Sequence, residues 1–507
     1  MRSAMVIPLA AALVLSAGAS RAQLGLNLPS VGLPSALPTM PAPVARPPSI
    51  PRTRIPKAPA ATSPSDQPVV QAPGVAALPL AQGEGAEGLE AITSDVTAAV
   101  SAVAVAGANG TTDIVLRAAA APGAVARAVG VEAGSYAGRA AELLRRHGDV
   151  VEADEQGRPV VRGEVTGLGV SARGVAAARA AGFQVRSEER VAGLDLVAAV
   201  LVPPRGMSAR EALRRLRALD PAGRYDFNHI YFESGGVAMG PGLARVSATA
   251  SGRGLRIGLV DGTALAGQPQ LSRTPLVQRA FAPGGARVTA HATAVASLLA
   301  GAGPRFQGAA PGATLYVADV YGPTPAGGSA VSVVRALGWL AQARTPVINI
   351  SLVGPSNALL EAGVAALVSK GHLVVAAVGN DGPGAAPLYP AAYPGVVAVT
   401  GVDARRRVLP EAGRGAYVEF AAPGADMAAA GLDGGVVGVR GTSFAAPLAA
   451  GRLARLLPTA DPAAARRAVA TLAAEAADLG ARGRDPVYGR GLVAFDLAVR
   501  PPALAGR

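Results

Sequence analysis

The chain contains no cysteine, so disulfides, thiolate metal sites and a cysteine nucleophile are excluded. Aromatic residues make up only 4 % of its 507 residues, with a single tryptophan, so a core must be built from Ala, Val and Leu. Charged residues are also scarce, at 16 %, while 50 % of the chain is hydrophobic. A wholly disordered chain has the opposite balance and is excluded. After the N-terminus there is no uninterrupted apolar run of about 18 residues, so a polytopic helical membrane protein is not expected. Lysine is nearly absent: Lys57 and Lys370 stand alone, and the formal charge of +13 is carried by arginine. The arginines form no compact cluster with aromatics, so no nucleic-acid partner is expected and the basicity reads as compositional bias. No acidic loop carries a recognisable series of calcium ligands, and neither a metal nor a cofactor is expected.

What is present is ordered along the chain. Arg2, the apolar stretch Ala4–Ala19 and the small residues Ser20 and Ala22 form the three parts of an export signal, expected over 1–22. Residues 23–74 are proline-rich (Pro29, Pro34, Pro38, Pro41 and onward), which removes backbone donors and favours an extended tether over a packed fold. Residues 75–148 are alanine-rich and partly helical, with helical spacing from Tyr136 to His147 before Gly148. Residues 149–233 read as β-α-β-β-α-β, a small α+β domain of one sheet under two helices. Its second helix opens on the capping-box spacing Ser208-Ala-Arg-Glu211. His229 in its last strand, like His147 and His372, has no second ligand at metal spacing and reads as structural. Residues 234–253 are glycine-rich and read as a cleavable linker.

From 254 to 499 strands and helices alternate, which predicts an α/β domain with a doubly wound parallel sheet and helices on both faces. Strands are expected at Leu255–Val260, Thr314–Val320, Pro346–Ile350, Leu373–Val378 and Val396–Thr400. In such folds, reactive side chains collect where strands end and helices begin. Asp261 follows the first strand, His291 opens a helix, Asn380 follows the fourth strand and Ser443 opens another helix. Each has a plain structural alternative: a strand-end acid, a helix-start histidine, a turn asparagine, a helix N-cap from Thr442 or Ser443.

Together they fit one mechanism. A serine hydroxyl becomes a nucleophile when an imidazole takes its proton, and the imidazole needs a carboxylate to fix its tautomer. A helix N-terminus and a side-chain amide can hold the developing oxyanion.

The blocks Ile257-Gly-Leu-Val-Asp-Gly262, His291-Ala-Thr-Ala-Val-Ala296, Asn349-Ile-Ser-Leu-Val-Gly354, Ala376-Ala-Val-Gly-Asn380, Tyr389-Pro-Ala-Ala-Tyr-Pro394 and Gly441-Thr-Ser-Phe-Ala-Ala-Pro447 resemble the subtilisin-like serine peptidases (subtilases), in family order. The resemblance implies Asp261 as orienting acid, His291 as base, Ser443 as nucleophile and Asn380 as oxyanion donor. It also implies Ser351, Leu352, Val353 and Gly379 as substrate-binding residues. The 149–233 domain looks like the family's inhibitory prodomain, its own chain then being the inhibitor's target. The expected product is a secreted or periplasmic serine endopeptidase made as a zymogen, acting on polypeptides, with no membrane span once the signal is removed. The alternative is a catalytically impaired scaffold for envelope partners. A nucleotide-binding domain is weaker still, since no Gly-x-Gly-x-x-Gly follows Val260.

Three positions depart from the family pattern. Gly262 stands where Thr or Ser is usual after the acid, Ala292 where Gly follows the base, and Val353 where the substrate-pairing strand leaves room. Val353 predicts a narrowed pocket and a preference for small residues beside the cut bond.

Overall fold

A computed structural model describes residues 135–241, 251–303 and 306–498, together with the backbone of 103–106 and 112–115. The expected export signal and proline-rich tether lie outside the described residues. The chain divides at Gly83 into two units, and every described residue belongs to the second.

A short hairpin of β1 (Val103–Ala106) and β2 (Thr112–Val115) comes first, then helix α1 (Tyr136–Arg146). Ser135 caps α1 by accepting from the Gly138 N–H at 3.1 Å. Next come β3 (Val151–Ala153), β4 (Pro159–Leu168), α2 (Ala172–Ala180), β5 (Gln184–Val191), β6 (Leu196–Val202), α3 (Ala209–Leu219) and β7 (Arg224–His229). All pairings in this sheet are antiparallel, with β4 between β6 and β7, and β5 on the outside of β6. The capping box at α3 forms as its spacing predicts, Ser208 and Glu211 each bonding the other's backbone N–H. One face of the sheet buries Val165, Phe183, Leu201 and Phe227 against Leu213 and Leu216 of α3. The other face contributes Leu168, Val191, Ala198 and Val200 to the core of the following domain.

That domain starts after β8 (Phe232–Glu233) and β9 (Gly236–Pro241). It runs through β10 (Arg256–Asp261), β11 (Leu276–Ala280), α4 (Ala290–Ala300), β12 (Ala302–Gly303), β13 (Phe306–Gln307) and β14 (Thr314–Asp319). It continues with α5 (Ala330–Gln342), β15 (Val347–Ile350), β16 (Leu352–Val353), α6 (Ala358–Ser369), β17 (Leu373–Ala377) and β18 (Val397–Val402). It closes with β19 (Val418–Pro423), β20 (Met427–Ala430), β21 (Val436–Arg440), α7 (Thr442–Leu456) and α8 (Pro462–Glu475). Seven strands form one parallel sheet in the order β11-β14-β10-β15-β17-β18-β19. The doubly wound α/β architecture is therefore the one the alternating pattern predicts.

Strand period two divides the core. Ile257 and Leu259 of β10 join Leu298 of α4 and Phe444 and Leu448 of α7 on one face. Val260, Ile348 and Val374 join Val333 and Leu337 of α5 and Leu360 of α6 on the other. Gly258 faces this second side, and a Cβ there would stand 3.1 Å from Leu340.

The edge strands β11 and β19 are absent from the sequence expectation. Their runs, Leu276-Val-Gln-Arg-Ala280 and Val418-Glu-Phe-Ala-Ala-Pro423, are interrupted by polar residues that a sheet edge tolerates. The glycine-rich 234–253 segment also begins differently from the expected linker. Gly236–Pro241 is a strand, paired antiparallel with β21 far downstream, a partner no local pattern reveals.

Candidate active site

Asp261 is the last residue of β10, and His291 is the second residue of α4. Ser443 is the second residue of α7, whose N-cap is Gly441 with no side-chain cap bond. Neither Thr442 nor Ser443 is thus occupied as a helix cap. The structure brings the three together. His291 Nδ1 lies 2.9 Å from Asp261 Oδ2 and 3.1 Å from Oδ1, and its Nε2 lies 3.0 Å from Ser443 Oγ. All three are buried. Burial pulls the His291 imidazole down, but the Asp261 and Glu233 carboxylates outweigh it and leave the ring above its ordinary value.

Thr289 sets the start of α4, accepting from the Ala292 N–H at 3.0 Å. It also accounts for the unusual Gly262, since a Cβ there would stand 2.6 Å from Thr289 Cγ2. Ala292 is fully buried within the regular helix α4.

Asn380 sits beside the start of α7. Its Oδ1 accepts from the Thr442 N–H at 3.0 Å, and Thr442 Oγ1 accepts in turn from the Gly379 N–H at 3.2 Å. Ser351 is braced from two sides: its Oγ accepts from Asn349 Nδ2 at 2.8 Å and donates to the Ser443 carbonyl at 3.2 Å.

The chain's own segment from Tyr231 to Pro241 lies across this centre. Phe232 and Glu233 pair antiparallel with Val353 and Leu352. The Ser234 N–H donates to the Ser351 carbonyl at 3.0 Å, and the Ser443 N–H donates to the Ser234 carbonyl at 3.2 Å. Asn380 Nδ2 donates to Ser234 Oγ at 3.2 Å, so here the amide reaches the side chain of that residue. Further along, Gly236–Pro241 pairs with β21. Gly235 has φ +152°, and a Cβ on it would lie 2.3 Å from Ser443 Oγ, so only glycine leaves the hydroxyl room at this point.

Several contributors escaped sequence reasoning. Tyr231 is fully buried, its N–H donating to the Gly328 carbonyl at 2.9 Å and its hydroxyl to the Pro355 carbonyl at 2.8 Å. A Cβ on Gly354 would stand 2.3 Å from the Tyr231 ring, and one on Gly328 2.2 Å from the Tyr231 carbonyl oxygen. Gly327-Gly328 before an N-capping serine was the available signal. Helix α1 also reaches the site. The Tyr136 N–H donates to Asp381 Oδ1 at 2.8 Å, Arg139 donates to the Glu233 carbonyl, and its guanidinium stands over the Phe232 ring at 5.4 Å. Tyr136 and Ala140 pack with Val353, Phe232 and Leu388. Leu388 stands 2.7 Å from where a Cβ on Gly379 would be, and it packs in one cluster with Val353.

His229 holds structure in the way its isolation suggests. Its Nε2 lies 3.1 Å from Asp154 Oδ2 and its Nδ1 3.1 Å from Asn357 Nδ2. Burial works against the Asp154 charge, yet hydrogen bonds from His229 and Arg158 hold its carboxyl down at about 2. Asp226 accepts from the Ala358 N–H at 2.7 Å, placing a carboxylate at the N-terminus of α6. Among the described residues, Glu233, Asp261 and His291 are close enough to share a cation, with ligand atoms within 4.8 Å of one another. His291, however, has both ring nitrogens engaged by Asp261 and Ser443, which argues against that use.

Known proteins resemble this chain in sequence and in fold. The model of the subtilase family matches residues 282–491. Subtilisin Savinase from Lederbergia lenta is 32 % identical over 272 residues, covering 51 % of this chain and 98 % of its own length. The minor extracellular protease Epr of Bacillus subtilis is 32 % identical over 219 residues, covering 42 % of this chain. The match spans only 34 % of Epr's own length. Among solved structures, fervidolysin from Fervidobacterium pennivorans, a keratinolytic enzyme related to subtilisin, superposes with a TM-score of 0.58 at 21 % identity. It covers 70 % of this chain and 62 % of its own, and supports the fold alone. With 98 % of Savinase matched at 32 % identity and the family model matching residues 282–491, the chain belongs to the subtilase family of serine peptidases.

Proposed function

We propose that this chain is the precursor of an exported serine endopeptidase, secreted or periplasmic, that first cuts itself between Ser234 and Gly235. One observation carries the reading. The Ser234 carbonyl is held by the Ser443 N–H at 3.2 Å, while Ser443 Oγ is held by His291 at 3.0 Å and crowds Gly235. Ser443 Oγ attacks the Ser234 carbonyl carbon as His291 Nε2 takes its proton. Asp261 keeps the remaining proton on Nδ1 and stabilises the imidazolium. The oxyanion is held by the Ser443 N–H at the positive end of α7 and by the Asn380 amide once it turns from Ser234 Oγ. The Gly235 amine leaves with the proton from His291, and water releases the acyl group from Ser443. Polypeptide substrates then follow the same path, extended along Ser351, Leu352 and Val353.

Residues 149–233 act as the intramolecular inhibitor. Their sheet covers α5 and α6, and their last strand fills the cleft. Export is supported by the residues of the 1–22 signal and by the extracellular designation of Epr. A fluorophosphonate is expected to label the processed chain at Ser443 and to leave Ser443→Ala unlabelled. Absence of label on folded wild-type protein would favour the scaffold reading.

Two further outcomes follow from the same geometry. Imidazolium cannot accept the Ser443 proton, so self-cleavage is expected to rise with pH through an ionisation above about 6.5, the ordinary imidazole value. Glu233→Gln removes a negative charge beside the imidazolium, and the rise is expected at lower pH than in wild type. Superimposable pH profiles would contradict the role given to Glu233. In a peptide panel, cleavage after Ser or Ala is expected to exceed cleavage after Phe, and Val353→Gly is expected to improve Phe relative to Ala by roughly tenfold. Equal or better cleavage after Phe by the wild type would contradict the narrowed pocket.

A further inference from the structure

Asp319 ends β14 as Asp261 ends β10, and the two residues stand opposite each other in parallel register. Asp261 takes the His291 ring, whereas the buried Asp319 carboxylate is turned to a different set of partners. Its Oδ1 accepts from the Tyr321 and Gly322 N–H groups at 2.9 and 3.1 Å, which closes the turn after its own strand. Its Oδ2 accepts from the Arg287 N–H at 2.5 Å and from the Thr263 hydroxyl at 2.7 Å. The second pair joins two remote stretches of chain. Thr263 comes just after Asp261, and Arg287 comes shortly before His291.

The same stretches also meet through their backbones. The Thr263 N–H donates to the Arg287 carbonyl at 2.9 Å, and the Thr289 N–H donates to the Thr263 carbonyl at 3.1 Å. Thr289 then caps α4, the helix that carries His291. On the other side, the Gly262 N–H donates to Asp261 Oδ1 at 2.7 Å, so the path of the chain after β10 sets how that carboxylate is turned. Residues 283–288 are exposed, so the chain entering α4 has little apolar packing to hold it. Asp319 itself sits on β14, between β11 and β10 within the sheet.

We propose that Asp319 is a positioning residue for catalysis: one of its oxygens clips the chain leaving Asp261 to the chain entering His291 and so fixes the pair that activates Ser443. This role rests on the peptidase reading and adds to it a residue that touches no reacting atom. A buried carboxylate is costly without donors, and four of them make this one a fixed hub. Proton transfer from Ser443 depends on the Asp261–His291 separation, which two loops alone would hold less closely than loops tied to a strand. Asp319 therefore acts on the rate of the chemical step and leaves the binding of peptide alone.

The test measures peptide hydrolysis by the self-processed protein, with kcat taken per fluorophosphonate-labelled site so that misfolded chains are not counted. Asp319→Ala is expected to lower kcat on the order of 10²-fold, the scale of a small misplacement at a reacting centre, with KM within about twofold. Thr263→Val keeps the Asp319 charge and the backbone bonds but removes one arm of the clip, and a fall of about tenfold in kcat is expected. Thr263→Ser restores the hydroxyl and should return kcat to within about twofold of the wild type. The double variant Asp319→Ala with Thr263→Val should be no slower than Asp319→Ala, because the hydroxyl acts through the carboxylate. Wild-type kcat per labelled site in Thr263→Val, even with a lowered Tm, would make Asp319 a structural residue only and overturn the proposal. So would a loss confined to KM, or losses that multiply in the double variant. Should Asp319→Ala give no labelled protein, Thr263→Val and Thr263→Ser decide the matter between them. A wild type with neither label at Ser443 nor peptide cleavage overturns the peptidase reading and the clip with it.

Discussion

Ser443→Ala is expected to stay at full length past Ser234, whereas the wild-type chain loses its N-terminal portion at the Ser234–Gly235 bond. Intact mass of the two exported proteins, side by side, reads the outcome directly. The expectation follows from the contacts at that bond. The Ser443 N–H, which the variant retains, holds the Ser234 carbonyl at 3.2 Å. The variant therefore keeps the bound junction and the helix dipole and loses only the oxygen that attacks. Folding should be little disturbed, since alanine is a good helix former at a buried position of α7. The rate loss should be on the order of 10⁶, the scale that removing the nucleophile costs in subtilisin. Loss of residues before 235 from Ser443→Ala in a protease-free host would show that another residue cuts the junction. A wild-type chain that remains whole under the same conditions would move the scaffold reading ahead.

Asp261→Asn should come next in size, slowing both self-cleavage and peptide hydrolysis by about 10⁴-fold. Asp261 now accepts from His291 Nδ1 through both oxygens, at 2.9 and 3.1 Å, which places the remaining proton there and leaves Nε2 free to accept from Ser443. An asparagine amide that turns its NH₂ toward Nδ1 would favour the opposite tautomer, with the proton on Nε2 facing the hydroxyl. The imidazolium formed during attack would also lose its neighbouring charge. Both effects act on the chemical step, so kcat should fall with KM little changed. Asp261 Oδ1 also accepts from the Gly262 N–H at 2.7 Å, a bond the asparagine oxygen can keep only in the orientation that puts its NH₂ toward the ring. A fall confined to KM would place Asp261 in substrate binding.

The two variants bear on different parts of one arrangement. Ser443 and the α7 N-terminus face the carbonyl, while Asp261 acts on it only through His291. A double variant should thus be hardly slower than Ser443→Ala alone, because the carboxylate has no reaction to serve once the nucleophile is gone.

Local chemistry was legible without the structure. The strand Leu373–Val378 announces itself by a continuous aliphatic run, and the helix from Ser329 by an N-cap followed by Val333, Leu337 and Leu340 at helical spacing. The capping box at Ser208 and the glycine after the helix at Ala172–Ala180 likewise rest on neighbours a few residues apart. The subtilase blocks belong to the same class, since a strand-end acid or a serine opening a helix depends on the element beside it. Doubly wound topology followed from alternation of such elements along the chain.

Tertiary structure alone decided what those elements meet. Nothing near Glu233 in sequence indicates that its carboxyl lies beside Asp261 and His291, nor that Thr289 caps the helix carrying His291. The glycine-rich stretch after Ser234 looks like a linker because glycine favours no local structure, yet its first residues become a strand through β21, some two hundred positions away. Arg139 of α1 reads as an exposed helix charge until Phe232 and the Glu233 carbonyl are placed under it. Val353 is the intermediate case: its bulk is visible in the sequence, but the residues it packs against, Tyr136, Ala140 and Leu388, arrive from remote segments. Propensity and capping act within a turn of helix or a few strand residues, whereas substrate fit and proton affinity depend on distances set by packing between remote segments.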